Sequence, residues 1–414
     1  RKAIEINPDF AEAYGNLGNI LRDLGKLNEA EISTRKSIKI NPNFGIFHSN
    51  LGAILIDFGN LPAAEISFIK AIEIDPDLAK PYLSLSNLEY SNKSKIWKDK
   101  LFAKSLTNHK SNKDKIDIYF ARANILHKEQ KYNESAKYLQ SANQLKLILN
   151  PSKADTLIKK SKVLLFESDR QKINKKEYTK PPESIFIVGM PRSGSTLLES
   201  ILSMNTSLDD LGEIKIFEEA FLENKKDDQA SNLADIYWNK IKDLNQKSNQ
   251  TTNKNLYNYQ YVGIIASQVA NAKVIHCYRN PLDNILSIYQ TSFSTGLEYF
   301  SSLVDCANIY IDQEEIMTDY KKRYRSKIYD LNYDSLVTQP NHEIQSLISW
   351  LGWEWKDSYL TPHVNPRSVS TASSVQVRSP ISSKSVGRWK NYKDMLKPAI
   401  EILTKTNRYS DILS

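Results

Sequence analysis

The sequence predicts an all-helical repeat superhelix followed by an α/β domain whose parallel sheet is flanked by helices. Two observations carry that expectation. Near the N-terminus a short signature recurs every 34 residues, at Ile6-Asn7-Pro8, Ile40-Asn41-Pro42 and Ile74-Asp75-Pro76, and a fixed period of this length marks stacked helical units. Later, the β-branched run Ser184–Val188 feeds a loop, Gly189–Thr196, and then a helically spaced apolar run, Leu197–Leu202. Strand, tight loop and helix start in that order make an anion cradle, because backbone N–H groups and the helix dipole converge on one point. The length of 414 residues suits two or three domains. With 40% hydrophobic and 25% charged residues the chain reads as globular.

Within the 34-residue period other positions hold register: Leu17, Leu51 and Leu85; Gly18 and Gly52; Gly25 and Gly59; Ala30 and Ala64. Apolar residues between them fall at i, i+3, i+4, the spacing of two short helices per unit. Each proline stops one helix and suits the start of the next. Gly18 and Gly52 let facing helices approach, and Gly25 and Gly59 fall at the turn inside each unit. These residues resemble the tetratricopeptide repeat. A decayed copy begins near Pro81, and another covers Ile116–Leu149, where Tyr119 and Asn133–Ser135 match Tyr14 and Asn28–Ala30. Arg1–Pro8 reads as the end of a further repeat, so the chain looks like a fragment. The resemblance implies a concave face that binds a peptide or protein; bracing of the neighbouring domain and self-association, as in a homodimer, stay open. The expected boundaries are 1–150 for the repeats, 151–182 for a Lys-rich helical connector closed by Lys180-Pro181-Pro182, and 183–414 for the α/β domain.

Net charge is +8 and the sequence pI about 9.0, a mild excess that suits an anionic ligand. Nucleic acid is not expected as a partner. The longest near-apolar stretches, such as Ser184–Met190, are far short of the ~20 residues of a membrane helix. Cys277 and Cys306 lie in no metal-ligand spacing. A reducing, cytoplasmic setting and no metal are the expectations.

Gly189 and Gly194 have the G-x-x-x-x-G spacing of a nucleotide-binding loop, but Ser195 stands where those loops carry Lys. Arg192 is the strong cation of the loop instead. The form Pro191-Arg192-Ser193-Gly194-Ser195-Thr196-Leu197 resembles the sulfotransferases, and is most similar to the tyrosylprotein sulfotransferases and their bacterial relatives with tetratricopeptide repeats. That resemblance implies 3′-phosphoadenosine 5′-phosphosulfate (PAPS) as co-substrate and PAP as product. It assigns Arg192, Ser193, Gly194, Ser195 and Thr196 to the 5′-phosphosulfate.

A second strand, Ala272–Tyr278, runs into Arg279-Asn280-Pro281 and, eight residues after Arg279, Ser287. Arg and Ser from a strand end and the next helix can converge on one phosphate, and the spacing resembles the family's 3′-phosphate motif. Thr291 occupies the place of a further family Arg. The segment Ile328–Val337 reads as strand into helix, with Tyr333 where the family places a ring near the adenine. A Ser-rich loop, 373–383, leads into Arg388-Trp389 and resembles the segment that closes over PAPS. Ser373 matches the family's active-site Ser, with Ser374 one register away, and Arg388 keeps a cation where the family has Lys.

Sulfuryl transfer needs a base for the acceptor hydroxyl and cations for the charged transition state. Glu213, in Gly212-Glu213 and twenty-one residues after Arg192, matches the base of the tyrosylprotein enzymes. Lys254, twenty-five residues before Arg279, matches the catalytic Lys, although Asn255-Leu256 replaces the family's Asp-Pro. The resemblance therefore implies Glu213, Arg192, Lys254 and Ser373 as the catalytic set. It implies transfer to a protein tyrosine or another macromolecular hydroxyl. The rival readings are a nucleotide kinase or NTPase, and a catalytically dead scaffold for the repeats.

Overall fold

A computed structural model describes residues 2–88, 96–171, 173–174, 182–226, 232–244, 248–293, 296–365, 367, 369 and 371–413. Lys180 and Pro181, expected to close the connector, lie outside those residues. The chain divides into two compact units: 1–152 with 289–302 and 366–379, and 153–288 with 303–365 and 380–414.

The first unit is helical. Its elements are α1 (Lys2–Ile6), α2 (Ala11–Asp23), α3 (Leu27–Ile40), α4 (Gly45–Phe58), α5 (Leu61–Ile74), α6 (Ala79–Asn87), α7 (Ile96–Phe102), α8 (Asn112–Lys128) and α9 (Tyr132–Leu149). The paired helices α2/α3, α4/α5 and α8/α9 follow the sequence period. The small residues at fixed register explain the tight pairing: a Cβ on Gly18 would sit 2.1 Å from Thr34 Oγ1, and one on Gly52 2.7 Å from the Phe68 ring. Leu51, Phe68, Tyr82, Leu85, Trp97 and Ile118 share one continuous core, as stacking of units that cannot bury their own apolar faces requires. Two late segments join this unit. Asn143 Nδ2 donates to the Tyr289 carbonyl at 2.9 Å, Lys146 Nζ donates to the Phe293 carbonyl at 2.9 Å, and Val375 packs against the repeat core.

The second unit begins with α10 (Ala154–Arg170). This helix occupies most of the expected connector, and its Leu164 is buried in the core of the second unit. Five parallel strands follow: β1 (Glu183–Gly189), β2 (Leu208–Asp210), β3 (Gln250–Asn253), β4 (Ala272–Tyr278) and β5 (Ile328–Asn332). Their order across the sheet is β2-β3-β1-β4-β5. Period-two alternation splits β1 between two cores. Phe186 and Val188 pack with Val274, Phe217 and Met317, whereas Ile185 and Ile187 pack with Leu198, Ile275 and Leu347. Burial on both faces is the reason β1 reads as a near-continuous apolar run.

The chain leaves β1 toward β2 and β3 on one side, then crosses to β4 and β5 on the other. A reversal of this kind opens a crevice beyond the carboxyl ends of the strands, where open α/β sheets place their ligands.

Candidate active site at the carboxyl ends of the strands

Five predicted residues stand just past the end of a different strand. Arg192 follows β1, Glu213 follows β2, Lys254 follows β3, Arg279 follows β4 and Tyr333 follows β5. In a parallel sheet all of these ends lie on one edge. Residues scattered over more than a hundred positions of sequence thus share one rim.

The loop after β1 is tightly wound. Gly189 has φ +142° and Gly194 φ +92°, and Arg192 itself has φ +66°, a conformation a non-glycine residue holds only when its surroundings impose it. Helix α11 (Ser195–Leu202) starts at once behind Gly194. A Cβ on Gly194 would sit 2.3 Å from Tyr333 Cδ2, so only glycine lets the tyrosine ring lie against the loop. Arg279 stacks over that ring at 4.7 Å, and Tyr333 Oη meets Ser385 Oγ at 2.9 Å.

The two halves of the predicted anion site meet here. Arg192 Nε donates to Ser287 Oγ at 3.1 Å, on α12 (Pro281–Tyr289). Arg279 Nη2 donates to the Ser385 carbonyl at 2.6 Å, and its Nη1 to the Arg192 carbonyl at 3.4 Å. Asp334 Oδ1 lies 3.7 Å from Arg279 Nε. Burial, then the like charge of Arg279, lowers the Arg192 guanidinium to about 10, which leaves it charged at neutral pH. Two buried donor atoms here, Ser193 Oγ and Arg279 Nε, have no hydrogen-bond partner, and neither has the acceptor Asp334 Oδ1. Unsatisfied buried donors beside clustered guanidinium groups fit a phosphate or sulfate oxyanion. Arg388 is exposed, with Nε donating to the Lys384 carbonyl at 2.9 Å.

A second cluster is acidic and basic at once. Backbone pairing runs on beyond β2 and β3, from Leu211 N to the Thr252 carbonyl at 3.0 Å and from Lys254 N to the Gly212 carbonyl at 2.9 Å. That pairing delivers Glu213 to Lys254: Nζ lies 2.9 Å from Glu213 Oε1 and 3.1 Å from Glu199 Oε2. Burial alone would lower the lysine, yet the two carboxylates outweigh it and hold Lys254 above its ordinary value. Both cysteines are buried and neither is in a disulfide, and burial raises both thiols. Among the described residues no group of three or more His, Cys, Asp or Glu is placed to hold a metal ion, and no helix is long and apolar enough to cross a membrane.

Residues 182–357 match the sequence profile of the sulfotransferase family, and residues 11–44 and 47–78 each match tetratricopeptide-repeat profiles. The chain carries a sulfotransferase-family domain behind tetratricopeptide repeats. An uncharacterized protein of Aquifex aeolicus is 32% identical over 243 residues, which cover 53% of this chain and 32% of that protein. The chain thus spans about a third of the length of the curated relative it matches. Similar solved structures include the sulfotransferase domain of the Synechococcus olefin synthase, at TM-score 0.40 and 17% identity over 55% of this chain and 97% of that one. A mouse sulfotransferase complexed with PAP is similar at TM-score 0.38 and 16% identity, over 60% of this chain and 91% of that one.

Of the residues the sequence singled out, the sulfotransferase-family domain gathers Arg192, Ser193, Gly194, Ser195, Thr196, Arg279, Ser287 and Tyr333 around the loop, and pairs Glu213 with Lys254. Ser373 and Ser374 belong to the first unit, in its 366–379 segment. Two residues escaped sequence reasoning. Glu199 follows Ser195 by one helical turn, a spacing that places both on one face, and an acidic residue on an otherwise apolar run was the available signal. Asp283 accepts from Gly387 N at 2.6 Å and Trp389 N at 2.9 Å, a pairing across a hundred residues that no local pattern announces.

Proposed function

We propose that this protein is a PAPS-dependent sulfotransferase acting on a hydroxyl of a macromolecule, a protein tyrosine or a comparable acceptor brought in by the repeats. The observation that carries the reading is the shared rim: cations, hydroxyls and a carboxylate–lysine pair from five strand ends meet beside a loop with no Walker lysine. Bound PAPS would supply an activated sulfuryl group on a phosphate leaving group. Arg192, Ser193, Ser195 and Thr196, with the backbone of Gly194, are suited to hold its 5′-phosphosulfate. Arg279 and Ser287 are suited to its 3′-phosphate, Tyr333 to its base, and Arg388 to the closing segment.

Glu213, largely exposed and paired through its Oε1 with Lys254, is positioned to turn and take the proton of an acceptor hydroxyl. Lys254 and Arg192 supply positive charge where the transition state gathers negative charge. Preorganised charge of this kind contributes on the order of several kcal/mol to a barrier.

Calorimetric titration with PAP, ATP–Mg²⁺ and GTP tests the reading. Binding of PAP together with transfer of label from PAPS to a tyrosine-containing acceptor is expected. Binding of ATP–Mg²⁺ in preference to PAP would make the domain a kinase or NTPase, and binding of none of the three would make it a scaffold.

A further inference from the structure

Lys254 is the most fully buried cation of the site, at 1% side-chain exposure, and it faces two carboxylates of opposite character. Glu199 on α11 is buried, at 3% exposure, whereas Glu213 is 58% exposed. The third titratable group facing it, the Cys277 thiol on β4, is held neutral by burial. We propose that Glu199 is the positioning residue of this centre, anchoring the Lys254 ammonium through every step while Glu213 comes and goes. The proposal rests on the sulfotransferase reading for its chemistry, but its geometry stands alone.

The physical reason lies in what Glu213 must do. A base that accepts a proton loses its negative charge and its hold on the lysine. A buried ammonium left without a counter-ion sheds its proton, because burial without a partner disfavours the charged form by several pH units. Lys254 would then be neutral at the moment its charge is wanted. A second carboxylate, screened from water and fixed on the helix that starts at the phosphate loop, prevents this. It also ties the lysine's position to that loop, since Glu199 lies one turn beyond Ser195 on the same face. The exposed carboxylate is free to change partners and the buried one is not.

The test is a titration of Lys254 in the full chain, followed by NMR of ¹³Cε-labelled lysine, with Lys254→Met assigning the resonance. Wild type is expected to remain charged beyond the ordinary lysine value of about 10.4. Glu199→Gln should lower that midpoint by about one pH unit or more, and Glu213→Gln should lower it by clearly less. In turnover assays with PAPS the alkaline limb of kcat should move down in parallel for Glu199→Gln, and Glu199→Asp should restore it. A larger shift for Glu213→Gln, or none in either variant, overturns the proposal. Should Glu199→Gln fail to fold, wild type alone decides: a midpoint at or below 10.4 overturns it. The NMR readout needs no catalysis. Absence of PAP binding would sink the sulfotransferase reading and leave the anchor standing; normal turnover with an unmoved Lys254 would sink the anchor alone.

Discussion

Removing the Asp283 carboxylate should release the C-terminal segment that carries Ser385 to the site. Asp283 is 2% exposed and sits in the first turn of α12. Its two oxygens accept from the backbone N–H groups of Gly387 and Trp389 at 2.6 and 2.9 Å. Hydrogen bonds to a charged acceptor contribute about 1.5–3 kcal/mol each, and orphaned donors cost more when buried. Asp283→Ala removes both acceptors, so the segment should lose about 3–5 kcal/mol of local stability. Asp283→Asn keeps one oxygen and turns an amide donor toward an N–H, and about 2 kcal/mol is expected. Because Ser385 accepts from Arg279 and meets Tyr333, the loosening should reach the anion site and weaken PAP. The assay is amide hydrogen exchange at Gly387 and Trp389, with calorimetry for PAP. Protection at those two amides that stays within about 1 kcal/mol of wild type would refute the clamp.

Four further outcomes are expected. Arg279→Ala should weaken PAP by about 2–5 kcal/mol and adenosine 5′-phosphosulfate, which lacks the 3′-phosphate, far less; equal losses in calorimetry would reassign Arg279. Glu213→Gln should lower kcat by about 10²–10⁴ with PAP affinity nearly unchanged, and wild-type turnover in the variant would place the base elsewhere. Burial raises Asp312 to about 6, so the folded state holds this proton more tightly than the unfolded chain and stability falls as pH rises through about 4–6. Asp312→Asn should therefore gain on the order of 1–3 kcal/mol at pH 7 and nothing near pH 3 in urea melts, and an equal effect at both pH values would refute the assignment. Asn143→Leu should speed amide exchange in 289–302, since it removes the bond to the Tyr289 carbonyl; unchanged exchange there would show that apolar packing alone seats this segment.

Short-range features were readable wherever the physics is local. The period of 34 follows from side chains that must repeat for units to stack, and it located the α2/α3 and α4/α5 pairs. The run Ala272–Tyr278 is β4 residue for residue, because a strand covered on both faces reads as a nearly continuous apolar run, interrupted here only by Lys273 and His276. The expected helix Leu197–Leu202 begins two residues earlier, at Ser195, where Gly194 stops it. Less was readable between 151 and 182: Lys-rich surface residues gave α10 the look of a connector, while the few buried positions, Ser161 and Leu164 among them, commit it to the second unit.

By itself, then, the sequence determined the repeat array, the strand–loop–helix of the anion cradle and the order of elements, all of which depend on neighbours within a few residues. Resemblance to the sulfotransferases singled out Arg192, Glu213, Lys254, Arg279 and Tyr333 as candidates. Only the tertiary structure decided that these five share one edge of the sheet, that Lys254 has a buried partner in Glu199 besides Glu213, that Asp283 holds Gly387 and Trp389, and that 289–302 and 366–379 sit with the repeats. Those facts depend on strand order and on contacts across forty to a hundred and fifty residues, and pairwise burial at that range leaves no periodic trace in a single chain.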